Sequence, residues 1–78
     1  MEQSFNRTRG APRNLVLEDF IHKLGINQLE FARIAGVSPT TVSHWINNVR
    51  DPGVRDLRRL SRYTGTTLSE LYDIFGIA

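Results

Sequence analysis

Residues 35–39, Ala-Gly-Val-Ser-Pro, close one helix and open another with a single residue between the two signals. Gly36 accepts the left-handed conformation that ends many helices. Ser38 followed by Pro39 is a helix start. The serine hydroxyl caps a free N–H, and proline at the first helical position has no N–H to orphan. With Val37 alone in between, the two helices cannot fold back as an ordinary antiparallel hairpin. They must cross steeply, and small Ala32 lets the axes approach closely. Val37, Val42 and Trp45 are placed to fill the angle. Any fold for this chain has to be built around that corner.

The remaining sequence is punctuated in the same way. Asn14 caps a predicted helix over 14–24, in which Leu17, Phe20, Ile21 and Leu24 recur at helical spacing before Gly25. Asn27 caps a second helix over 28–35. A third, over 39–47, turns Val42, Trp45 and Ile46 inward and ends at Asn47-Asn48, where Asn48 tolerates a left-handed backbone. The turn Asp51-Pro52-Gly53 leads into a fourth helix over 54–64. There Leu57, Leu60 and Thr64 share a face, and Arg55, Arg58, Arg59 and Arg62 lie largely on others. Thr67 and Glu70 form a capping box that opens a fifth helix over 68–75, with Leu68, Leu71, Tyr72 and Phe75 as its apolar side. No segment alternates at period two for long enough to make a strand. Residues 1–13, with Gly10, Pro12 and no apolar periodicity, are predicted to form a flexible basic arm. Residues 14–78 are predicted to form one all-α domain of five helices.

Composition limits what such a domain can do. The chain has 78 residues, 40% hydrophobic and 23% charged, enough for one modest core. At this size stability is marginal, and with no cysteine there is no disulfide and no thiolate zinc site. A second copy is the expected source of extra stability. His22 and His44 are too few for a His-rich metal site, so no metal or cofactor is expected. No nucleophile–base pairing or phosphate-cradling glycine loop is present, and a small helical domain has little room for a buried pocket. An enzyme is not expected, nor a small-molecule ligand. No run of eighteen apolar residues and no charged-then-apolar leader occurs, so the expected location is cytoplasmic, with no membrane partner.

Charge distribution says more than the net +2. Nine of the ten basic residues are arginine. Residues 49–65 hold five arginines against Asp51 and Asp56, a local excess of three, and residues 1–13 hold three against Glu2. The last thirteen residues contain Glu70 and Asp73 and no base. Such polarity suits a polyanion held on one side.

The third helix points to the same partner. With its apolar stripe inward, it shows Pro39, Thr40, Thr41, Ser43, His44 and Asn47 outward, short or hydrogen-bonding groups without a carboxylate. A merely solvated helix favours Glu, Lys and Ala, and adjacent threonines are poor helix formers. Thr40 and Thr41 suit thymine methyls or base-edge acceptors, His44 suits guanine N7 or O6, and Asn47 suits a phosphate. A steep corner followed by such a helix is the physical recipe of a helix-turn-helix, whose second helix enters the DNA major groove. Trp45 is expected in the core rather than stacked on a base.

The run Asn27-Gln28-x-x-Phe31-Ala32-x-x-Ala35-Gly36-Val37-Ser38-x-x-Thr41-Val42-Ser43-x-Trp45 resembles the helix-turn-helix of the phage repressor and Cro family, the XRE-type regulators. Pro52, Leu57, Leu60, Gly65 and Thr67-Leu68-x-x-Leu71 resemble that family's fourth and fifth helices, so the resemblance spans about residues 14–75. It implies a repressor-like domain that binds double-stranded DNA, usually as a homodimer on an inverted-repeat operator. Carried over by position, it implies that Gln28 clasps a backbone phosphate beside its cap Asn27. Pro39, Thr40, Thr41 and His44 fall at base-reading positions, and Ser43 and Asn47 at positions that touch base or backbone. Arg50 falls in the phosphate-contacting loop, with Arg55 nearest to it. Arg7, Arg9 and Arg13 suit a minor-groove arm.

Three positions depart from the family pattern. Ile46 replaces a common glutamate, which removes a buried ion pair. Asn48 stands where glycine is usual. Pro39 replaces a long polar reader, which shifts specificity toward Thr40, Thr41 and His44. The apolar end Ile74-Phe75-Gly76-Ile77-Ala78 is predicted to be exposed, with Ile74, Phe75 and Ile77 forming a dimer interface. An alternative is a protein-interaction module, like the antitoxins and restriction-system controllers that share this domain. Leu29, Ile34 and the same apolar end would then be the docking surface.

Overall fold

Five helices form in the predicted order: α1 (Leu15–Lys23), α2 (Gln28–Ala35), α3 (Pro39–Ile46), α4 (Val54–Thr64) and α5 (Leu68–Phe75). The computed structural model describes residues 12–77, and no strand occurs among them. Residues 1–11, and with them Arg7 and Arg9 of the expected arm, lie outside the described residues. No helix among the described residues is long and apolar enough to cross a membrane.

Local chemistry accounts for the helix starts. Asn14, Asn27, Ser38 and Thr67 each sit in extended backbone and accept a first-turn N–H on the side chain. α4 begins at Gly53 without a side-chain cap, and Asp56 Oδ2 instead accepts the Gly53 N–H at 3.0 Å. α1 is one residue shorter than predicted at each end, and α3 one residue shorter at its C-terminal end. Asn14 and Leu24 flank α1 as caps, and Asn47 is the C-cap of α3.

α2 packs on α3 and α4, and α5 on α1 and α4. Leu17, Phe31, Val42, Leu60 and Leu71 fill the centre. Trp45 meets Phe75 edge to face at 5.5 Å between centroids, and Phe20 meets Phe31 the same way at 6.1 Å. Ile46 is buried, in keeping with the apolar replacement seen in the sequence. Leu68 and Tyr72, on the predicted apolar side of α5, are exposed. An eight-residue helix presents only two turns, and Leu71 and Phe75, four apart, occupy its inner line.

Asn14 ties three parts of the fold together. Its N–H donates to Ile46 O at 2.6 Å, its Nδ2 donates to Ile74 O at 3.0 Å, and its Oδ1 caps α1. Nearby, Asn48 takes the expected left-handed backbone at φ 57° and donates from Nδ2 to Pro12 O. The chain entry, the end of α3 and the end of α5 are thereby fixed to one another.

The corner itself closes as the sequence requires. Gly36 sits at φ 76°, and the Val37 N–H reaches back to Ala32 O at 3.0 Å. Arg59, from α4, donates through Nε to Ile34 O at 2.7 Å, satisfying a carbonyl that the end of α2 leaves free. A Cβ at position 36 would lie 2.9 Å from that Nε. Gly36→Ala therefore combines left-handed strain of about 1–2 kcal/mol with disturbance of a hydrogen bond worth roughly 1 kcal/mol. The expected loss is about 2–3 kcal/mol by urea denaturation, and a variant as stable as the parent would refute this account of the corner.

Candidate nucleic-acid interface

α3 reaches its position through the corner on one side and its buried stripe of Val42, Trp45 and Ile46 on the other. Its outer face carries Pro39 and Thr40 exposed, and Thr41, Ser43 and His44 half-buried. These residues do not all have the same hydrogen-bonding capacity to spare. Ser38 Oγ accepts the Thr41 N–H at 3.2 Å and lies 3.0 Å from Thr41 Oγ1, so the Thr41 hydroxyl already has a partner. Asn47 donates from Nδ2 to Ser43 O at 2.9 Å and closes the helix. Meeting a phosphate requires that amide to turn away first. The side chains of Thr40 and His44 make no such bond among the described residues.

The flanking groups frame this helix. Asn27 and Glu30 cap α2 reciprocally, at 2.9 and 3.1 Å, which leaves exposed Gln28 at its first position, where the helix dipole favours an anion. Beyond α3, the Val49 N–H bonds His44 O at 2.8 Å, folding the loop against the helix end and placing exposed Arg50 beside it. Arg55 is exposed on the first turn of α4 and lines a recess with Ala35, Gly36, Asp56 and Arg59. Arg13, the described member of the three arginines of the expected arm, pairs with Glu18 on α1.

The apolar C-terminal end is not exposed as predicted. Phe75 is buried on Trp45, and Ile74 and Ile77 are half-buried against the core. Left-handed Gly76 turns the chain back so that the Ile77 N–H bonds Tyr72 O at 2.8 Å. Exposed Leu15 and Val16, on the first turn of α1, line one recess with Ile74 and Phe75. Of the two second-helix positions left open by the sequence, Ile34 packs against the core and Leu29 is exposed.

The ion pairs among the described residues are Arg13–Glu18 and Lys23–Asp19, which leaves the arginines of α4 without one. Two carboxylates, Asp56 and Glu70, serve helix starts. Asp56 holds Gly53, and Glu70 accepts both the N–H and the hydroxyl of Thr67. Those two donations hold the Glu70 carboxyl below its ordinary range. Its folded-state value is depressed, so its contribution is present at neutral pH and fades as the pH falls through the acid range. Sequence reading passed over the carbonyl-binding role of Arg59, because a bond between residues 25 positions apart leaves no local pattern.

A tight two-helix corner, a second helix with a carboxylate-free polar outer face, Arg50 just beyond that helix, and Arg55 and Arg59 beside the corner define a helix-turn-helix DNA-binding domain. The family model described as Helix-turn-helix matches residues 18–71, from within α1 to Leu71 of α5. The chain belongs to that family and is a DNA-binding regulator of the XRE type, the type that includes Cro and phage repressors. No curated protein and no solved structure matched it significantly.

Proposed function

We propose that the protein is a sequence-specific transcriptional repressor of phage or bacterial type, which binds an inverted-repeat operator as a homodimer in the cytoplasm, on the nucleoid. α3 lies in the major groove, where Thr40 and His44 lead the base reading and Pro39, Thr41 and Ser43 complete the surface. Asn27, Gln28, Arg50, Arg55 and a reoriented Asn47 hold backbone phosphates. The observation that carries this reading is the carboxylate-free outer face of α3, with the Thr40 and His44 side chains unbonded.

Two copies are required on physical grounds. One recognition helix reads too few base pairs to discriminate against a genome, and two-fold symmetry doubles the readout. Phe75 belongs to the core, so the dimer contact centres on Ile74 and Ile77 with the exposed Leu15 and Val16 beside Ile74. Leu15, Val16 and Ile74 line one groove, with Asn48, Asp51 and Asp73 at its rim.

Selection of random duplexes on the purified protein is expected to enrich an inverted repeat with half-site centres about one helical turn, roughly 34 Å, apart. Sedimentation on the enriched duplex is expected to show two protomers. Enrichment of no sequence, with weak salt-sensitive binding alone, would remove the operator-binding reading.

A further inference from the structure

Arg55, Arg58, Arg59 and Arg62 recur at i, i+3, i+4 and i+7, so they form one stripe along α4. All four are exposed, and together they line a shallow recess. Like charges at these spacings repel, and no carboxylate among the described residues pairs with them. The stripe is also partly ordered in advance. Arg59 is held by its bond to Ile34 O and lies over the Tyr63 ring at 5.1 Å, which fixes the direction of its guanidinium. An unpaired, self-repelling row containing a fixed member is suited to an anion supplied from outside.

Its place in the fold indicates which anion. Arg55 and Arg59 flank Ala35 and Gly36 at the C-terminal end of α2. The phosphate site proposed at Asn27 and Gln28 is at the other end of the same helix. The first helix of this motif crosses the DNA backbone while the second lies in the groove, so on the proposed reading arginines that flank α2 are beside phosphates. The planar guanidinium fork also fits phosphate oxygens in pairs, and all four side chains in the stripe are arginine.

We infer that the α4 stripe is a second phosphate-binding track, separate from the phosphate site proposed at Asn27 and Gln28. This rests on the DNA-binding reading above and extends it to Arg58, Arg59 and Arg62. The track grips the duplex independently of sequence and sets how deeply α3 sits in the groove.

The test uses the full chain and a mixed-sequence duplex of about 30 base pairs, with binding measured against salt concentration. Arg59 also supports the corner, so the variant is Arg58→Gln/Arg62→Gln, with Lys23→Gln as the control away from the track. The slope of log affinity against log salt is expected to fall by about one for each arginine removed from each bound protomer. On the selected operator, phosphate ethylation interference is expected to lose one set of positions in each half-site while the set assigned to Gln28 remains. The melting temperature of the variant is expected to stay at or above that of the parent, because two mutually repelling charges are gone. An unchanged slope and footprint in a folded variant would overturn the track and leave the DNA-binding reading standing. Failure of the parent protein to bind the duplex would overturn both.

Discussion

Trp45→Ala is expected to unfold the domain at ordinary temperatures rather than to weaken DNA binding selectively. Trp45 is on α3, next to residues assigned to the groove, and an aromatic ring there invites a base-stacking interpretation. Its surroundings argue otherwise. The side chain is 2% exposed and meets Phe75 edge to face, so it fills the space between α3 and α5. Removing a ring of this size from a packed core costs about 3–5 kcal/mol. For 78 residues the whole folding free energy is roughly 4–12 kcal/mol, taking 0.05–0.15 kcal/mol per residue. One substitution thus removes a large part of the total. A far-UV circular dichroism melt should show a low or absent transition, with Trp45→Phe falling between parent and alanine variant. A cooperative melt near that of the parent, joined to lost DNA binding, would place the ring on a base instead.

The contrast between local and distant interactions explains what was legible beforehand. Helix starts were readable because each depends on residues within one turn. Asn27 with Glu30 and Thr67 with Glu70 are complete devices within four consecutive positions. The corner was readable for the same reason, as was the inner stripe of α3. Bonds such as Asn14 to Ile74, 60 positions apart, or Arg59 to Ile34 have no sequence signature, since either partner alone is an ordinary surface residue. That is why the C-terminal end was expected to be free. Nothing local announces that Trp45 will take up Phe75 and Asn14 will take up the carbonyl beside it. At the candidate site, residue types identified which side chains of α3 face outward. Which of those groups are engaged within their own helix, as Thr41 and Asn47 are, depends on side-chain geometry that spacing does not fix.

That distinction makes His44 the most informative position for the proposed readout. His44→Ala removes a ring whose polar atoms make no bond within the described protein, so the fold loses little while a base contact loses its donor. A good base-edge contact contributes about 1–3 kcal/mol of discrimination. On an inverted repeat each substitution is made twice, which brings the expected loss on the selected operator to about 2–6 kcal/mol. Binding to mixed-sequence DNA is expected to stay nearly unchanged, because the phosphate contacts proposed for Gln28, Arg50 and Arg55 are not altered. The salt slope should also be preserved. Arg50→Gln is expected to behave in the opposite way, weakening all duplexes alike and lowering the slope by about one per bound protomer. Competition titrations of both variants on operator and mixed duplexes at one salt concentration separate the two roles. If His44→Ala weakened every duplex equally, His44 would belong with the phosphate-binding groups, and the base readout would fall to Thr40 and the threonine beside it.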